Sequence, residues 1–187
     1  MLLRSTDMRK LVPLVAAFAA TVPTANWMIG NIGTVCLAGG PCLIPVGFGL
    51  AAPSGVLLVG LALVLRDMVH EVGGIRAALL AIAIGGVLSW LVAPPALVLA
   101  SVAAFLLAEL ADLIVYTPLR KRRLGLAVFA SGAVGSAVDS VVFLWLAFGS
   151  LDFMAGQVIG KLWMSVVAFA YLSYRRRAYR IIKEPNH

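Results

Sequence analysis

Carboxylates and a lysine sit inside stretches long and apolar enough to lie in lipid. Six such stretches divide the chain, at about 11–29, 44–68, 75–92, 96–118, 124–148 and 154–174. Four of them carry charge: Asp67, Glu109 with Asp112, Asp139, and Lys161. An ion at the centre of a bilayer costs roughly 3 kcal/mol on insertion scales and more on an isolated helix. Such groups are retained where they line a polar path or hold a polar ligand. The pattern therefore points to a small membrane transporter with its site near these residues.

A hydrocarbon core of about 30 Å takes about 20 helical residues at 1.5 Å each, which is the length of these stretches. The mean hydropathy of +1.02 agrees, as does a hydrophobic share of 62 %, against roughly 45–50 % in a soluble domain. Charged residues make up 12 %, too few to cover a soluble globule. The expected fold is all-α: one polytopic domain over 1–187, with a basic start (1–10), six transmembrane helices within about 11–174 and a basic tail (175–187).

Lys and Arg set the topology. They gather at Arg4, Arg9 and Lys10, at Arg66 and Arg76, at Arg120 to Arg123, and at Arg175, Arg176, Arg177, Arg180 and Lys183, with Lys161 alone inside an apolar stretch. The intervening connections have none. By the positive-inside rule every second connection is cytoplasmic, which predicts six spans with both termini inside and a bacterial-type inner-membrane location. Basic flanks also favour anionic lipid headgroups. No nucleic-acid motif interleaves with them, so nucleic acid is not an expected partner. The start of the chain, with Pro23-Thr24-Ala25, imitates a cleaved signal, but five further spans favour an uncleaved first helix. Cys36 and Cys42 flank Gly39-Gly40-Pro41 in an outer connection; two free thiols are the expectation there, and a small disulfide loop the alternative.

Residue counting gives depths. Asp139 lies about 24 Å from the cytoplasmic side and about 15 Å from the outer turn at Gly149, and Lys161 about 14 Å beyond that turn. The last two helices are joined by a short turn, so Asp139 and Lys161 fall at one level and can pair. Small residues (Ser131, Gly135, and Gly156 with Gly160) allow close approach. Glu109 and Asp112 share a helix face. Two carboxylates so close must share a proton or be neutralised by a cation such as Lys161. Asp67 and Glu71 close the second stretch near the cytoplasmic face, beside His70, where a solvated helix end is the ordinary reading. Asn26 is a polar group near the end of the first stretch, fit to bind a ligand or to cap a break. Among the aromatics, Phe105 and Trp163 are candidates to stack a planar ligand.

The segment Arg66-Asp67-Met68-Val69-His70-Glu71-Val72-Gly73-Gly74 resembles the D-x-x-x-E-V-x-G pattern of the queuosine precursor transporter family, also called the vitamin uptake transporters (VUT family). Ala104 to Tyr116 with Leu119-Arg120, Ser131 to Gly135 with Asp139-Ser140-x-x-Phe143, and Lys161 are similar to its later helices, in the same order, over about residues 22–170. The proline expected a few residues beyond the lysine is missing. This resemblance implies import of a 7-deazaguanine, such as 7-cyano-7-deazaguanine (preQ0), across the inner membrane. Glu109 and Asp139 would accept the adjacent N–H donors of a guanine-like edge. Lys161 would balance charge or donate to the carbonyl, Asn26 and Asp112 would add contacts, and Asp67 with Glu71 would form a gating or charge network. No covalent step is involved, so no cofactor, metal or enzymatic activity is expected.

The rival reading is a substrate-binding membrane subunit for a vitamin-like heterocycle that needs a separate energy-coupling module. No residue points to such a partner or to a particular oligomer. An intramembrane enzyme would be expected to carry an Asp-rich metal motif or a His-Ser pair, and the sequence has neither.

Overall fold

The computed structural model describes residues 5–38, 40–93 and 95–183. Among the described residues five α-helices are formed: α1 (Ser5–Asn31), α2 (Val56–Val92), α3 (Val98–Leu119), α4 (Leu124–Phe148) and α5 (Met154–Lys183). Three short antiparallel strands, β1 (Val35–Cys36), β2 (Cys42–Gly47) and β3 (Leu50–Pro53), lie between α1 and α2. A 3-10 turn at Pro95–Leu97 leads into α3. The expected basic tail continues as helix to Lys183; Arg4 and residues 184–187 lie outside the described residues.

At 37 residues, α2 would run about 55 Å if straight, nearly twice a bilayer core. It is broken at Gly74, whose backbone (φ 74°, ψ −175°) is open to glycine and strained for other residues. Val59 and Ser89 line one small cavity, yet a straight helix would hold them about 45 Å apart. The limbs 56–73 and 75–92 therefore double back on each other at Gly73-Gly74. Phe18 of α1 shares one buried cluster with Ala62 from the first limb and Ala81 from the second.

Among the described residues, four helical segments are long and apolar enough to cross a membrane: Met8–Asn31, Val56–Val92, Val98–Leu119 and Leu124–Phe148. Their outward faces suit lipid, with Leu91, Leu99 and Ile114 at 70, 72 and 73 % exposure. Two prolines, Pro13 and Pro23, interrupt the α1 hydrogen-bond ladder. Near Pro23, Thr21 and Thr24 donate to the carbonyls of Phe18 and Ala20, and Asn26 to that of Val22.

Two expectations are corrected here. The second apolar stretch begins as β-structure, so helix starts at Val56 rather than near residue 44. Strands β2 and β3 meet at a tight turn in which Phe48 and Gly49 both have positive φ, the conformation that matches hairpin twist. The cysteines form a disulfide, Cys36–Cys42, across the paired ends of β1 and β2, and are not free thiols.

This hairpin seats against α5. A Cβ at Gly156 would collide with the Ala51 carbonyl, and one at Gly160 would meet Val56 at 2.8 Å. The Gly156-x-x-x-Gly160 spacing thus fits α5 to the hairpin and the start of α2, whereas Gly132 of α4 faces Ser165 of α5.

Candidate functional site

Helices α4 and α5 run antiparallel from a short turn, and counting back from it places Asp139 and Lys161 side by side. Lys161 Nζ lies 2.5 Å from Asp139 Oδ2, 2.8 Å from Ser140 Oγ and 2.5 Å from Gln157 Oε1. An ammonium has three donors, and all three are used. The Ser140 hydroxyl in turn donates to the Ser136 carbonyl at 2.6 Å. Lys161 and Ser140 are fully buried, and Asp139 nearly so. First-limb α2 reaches this pair closely, since a Cβ at Gly60 would lie 2.6 Å from the Lys161 carbonyl oxygen.

A second buried cluster centres on Arg66. Its Nε donates to Glu109 Oε2 at 3.0 Å, Nη1 lies 2.6 Å from Asp67 Oδ1, and Nη2 pairs with Asp112 Oδ1. Arg66 and Asp112 are fully buried, and Glu109 and Asp67 nearly so. Gly135 of α4 lets α3 approach, because a Cβ there would meet Asp112 Cβ at 3.0 Å. The guanidinium also lies over the Tyr116 ring, 5.6 Å from its centroid. Nearer the chain's basic turn, Glu71 Oε1 accepts from Tyr116 Oη (3.0 Å) and from Arg120 Nη1 (2.9 Å).

Two expectations change with this cluster. Arg66, read as a residue of a connection, is a buried centre, and Arg66 rather than Lys161 neutralises Glu109 and Asp112. Asp67, read as part of a solvated helix end, is buried beside it. Burying so many ions is expensive unless each finds partners, and removing one partner from such a set costs about 3–5 kcal/mol.

Between the two clusters lies a cavity of about 70 Å³, where roughly 10–15 Å³ is enough for one water. Its polar wall comes from Glu109, Asp139, Lys161, Gln157, Asn26 and Ser89, and its aromatic wall from Phe105 and Phe143. Glu109, Asp139, Lys161, Asn26 and Phe105, singled out in the sequence, are thus brought together. Three others are not: Asp112 and Asp67 lie behind Glu109, and Glu71 lies at the far end of the network. Trp163 stands outside the cavity as well. It donates to the Val46 carbonyl at 2.8 Å and stacks on Phe48, so it holds the hairpin and does not face the cavity.

Sequence reasoning missed Arg66 and Gln157. The Gly47-Phe48-Gly49 turn was the available signal for Arg66: a hairpin there moves the helix start to Val56 and leaves Arg66 about 15 Å deep. Gln157 lies one helical turn before Lys161, on its own face.

Residues 89–175 match the family described as Putative vitamin uptake transporter. That stretch holds Glu109, Asp112, Asp139, Gln157 and Lys161, and leaves Arg66 outside it. No curated protein and no solved structure matches the chain. The four membrane-length helices suit a multi-pass membrane protein, and over residues 89–175 the chain is similar to vitamin uptake transporters.

Proposed function

We propose that this multi-pass membrane protein, similar over residues 89–175 to vitamin uptake transporters, imports a queuosine precursor across the inner membrane. The substrate is 7-cyano-7-deazaguanine or a related 7-deazapurine. The observation that carries this reading is the cavity, an apolar chamber with two carboxylates, an ammonium and two amides on its wall.

The chemistry of a guanine-like edge suits that wall. Glu109 keeps one oxygen for the adjacent N–H donors of the ligand while Arg66 holds the other at 3.0 Å. Gln157 commits its oxygen to Lys161, which leaves its amide N–H groups for a ligand carbonyl. Phe105 and Phe143 supply faces for the ring. Counting the two limbs of α2 separately gives six spans, and the Lys and Arg distribution then puts both termini and the Arg120–Arg123 turn in the cytoplasm. The disulfide-bridged hairpin lies on the outer side in this orientation. Exchange between outward- and inward-open forms would proceed by rocking of helices around the central site.

Uptake of labelled 7-cyano-7-deazaguanine into cells unable to make it tests the reading. The intact protein is expected to support accumulation. Asp139→Asn and Lys161→Ala are expected to abolish it while still inserting in the membrane. An intact, well-expressed protein that brings in no label sinks the standalone importer.

A further inference from the structure

We propose that import is driven by protons, carried one per substrate molecule on the carboxylates around Arg66, with Glu109 linking that cluster to the cavity. The proposal rests on the transporter reading above and names its energy source.

Lys161 and Asp139 balance each other at 2.5 Å. Arg66 carries one positive charge and faces three carboxylates, Asp67, Glu109 and Asp112. All three ionised would leave two uncompensated negative charges in a fully buried place, at several kcal/mol per ion. The cluster must therefore hold protons or a further cation. The guanidinium fills its centre and directs a nitrogen at one oxygen of each carboxylate, and among the described residues no three acidic, His or Cys side chains are arranged to hold a metal ion. A proton needs only an oxygen.

Such an oxygen is present. Asp112 is fully buried, its Oδ1 holds only the ion-pair contact with Arg66, and its Oδ2 has no hydrogen-bond partner among the described residues. The neighbouring Ser131 hydroxyl, whose bond to the Val128 carbonyl is long at 3.5 Å, lies within reach of the same carboxyl and can accept from it when it is protonated. A neutral carboxyl at Asp112 keeps the Arg66 contact through Oδ1 and removes one surplus charge.

Position supplies the link. Glu109 lines the cavity and binds Arg66, whereas Asp67 and Asp112 touch Arg66 and do not line the cavity. A ligand that takes up Glu109 therefore alters the charge Arg66 must share with the carboxylates behind it. The groups facing the cluster are Arg66, Asp67, His70 and Glu71 from α2, Glu109, Asp112, Tyr116 and Arg120 from α3, Asp139 from α4 and Lys161 from α5; α1 brings Thr21 and Asn26, which do not titrate. Along α2 and α3 they lead to Glu71, whose side chain is 40 % exposed, so that end reaches water. One proton enters with the substrate, resides on a carboxyl of the cluster and leaves through that end. No bond of the substrate changes.

The test uses the full-length protein in liposomes, with labelled 7-cyano-7-deazaguanine and membrane potential clamped. For one proton per substrate, each unit of inward pH gradient raises the limiting inside-to-outside ratio about tenfold. Asp112→Asn, fixed in the neutral form, is expected to keep counterflow exchange of label and lose gradient-driven accumulation. Exchange by the unaltered protein that ignores the pH gradient, or follows a sodium gradient instead, overturns proton coupling and leaves the transport reading standing. Asp112→Asn accumulating label like the unaltered protein overturns the role given to that residue. Absence of counterflow in the unaltered protein overturns the transport reading and this proposal with it. Should Asp112→Asn fail to exchange, the response of the unaltered protein to the gradient still decides.

Discussion

Arg66 Nε lies 3.0 Å from Glu109 Oε2, and the same Glu109 forms part of the cavity wall. One carboxylate is thus shared between a buried ion cluster and the space offered to a ligand. A charge-assisted hydrogen bond of this kind contributes roughly 1.5–3 kcal/mol. Ligand binding at Glu109 competes for the same carboxylate, so its energy is felt at Arg66.

Removing Lys161 leaves Asp139 buried without its cation. Lys161→Ala is expected to lose about 3–5 kcal/mol of stability, seen as a lower unfolding midpoint in detergent. Asp139→Asn combined with Lys161→Met is expected to recover most of that stability and none of the uptake. Recovery of uptake in the double variant would assign the pair a structural role only.

Close packing of α2 on α5 depends on Gly60. A side chain there would meet the Lys161 carbonyl oxygen at 2.6 Å, and this neighbour is backbone that cannot turn aside. Gly60→Val is expected to cost about 1–3 kcal/mol through overpacking and to weaken ligand binding by displacing Lys161. Unfolding and equilibrium binding measured on one preparation check both; unchanged binding would count against Lys161 as a wall of the site.

The two aromatic candidates separate cleanly. Phe105 lines the cavity, and Trp163 holds the hairpin. Phe105→Ala is expected to raise the Kd for 7-cyano-7-deazaguanine by about tenfold, equal to the roughly 1.4 kcal/mol within reach of an aromatic stack. Trp163→Phe retains a ring against Phe48 and is expected to leave the Kd within about twofold. Equal effects would mean that the ligand sits nearer the hairpin.

The Cys36–Cys42 bridge closes a short loop with a sequence separation of 6. On the chain-entropy account its removal costs roughly 2 kcal/mol. The double Cys→Ser variant is expected to show faster amide exchange in β1 and β2, with α3 and α4 unchanged. Protection lost throughout the bundle would show that the hairpin is needed for the whole fold.

Much of the bundle is legible in the sequence because lipid imposes a simple rule: apolar length marks the four helices able to cross a membrane. The pairing of Asp139 with Lys161 follows from counting residues on either side of one short turn. The doubling of α2 at Gly73-Gly74 is also written there, as a charged and glycine-containing break. Residues 42–53 were obscured because an apolar hairpin and an apolar helix have similar hydropathy, and the error moved Arg66 to a surface it does not occupy. Trp163 was misplaced for a different reason. An indole in an apolar helix reveals nothing about its partner until the strand carrying Val46 is in place.

The ion pairs also differ in how far apart along the chain their members are made. Arg66 leaves the ribosome 43 residues before Glu109, and its immediate companion is Asp67, next in the chain and 2.6 Å away in the finished protein. Asp139 precedes Lys161 by 22 residues, so this pair closes within two consecutive helices. Arg66 thus has a counter-ion beside it in the chain before α3 is made, and the α4–α5 hairpin carries both members of its own ion pair.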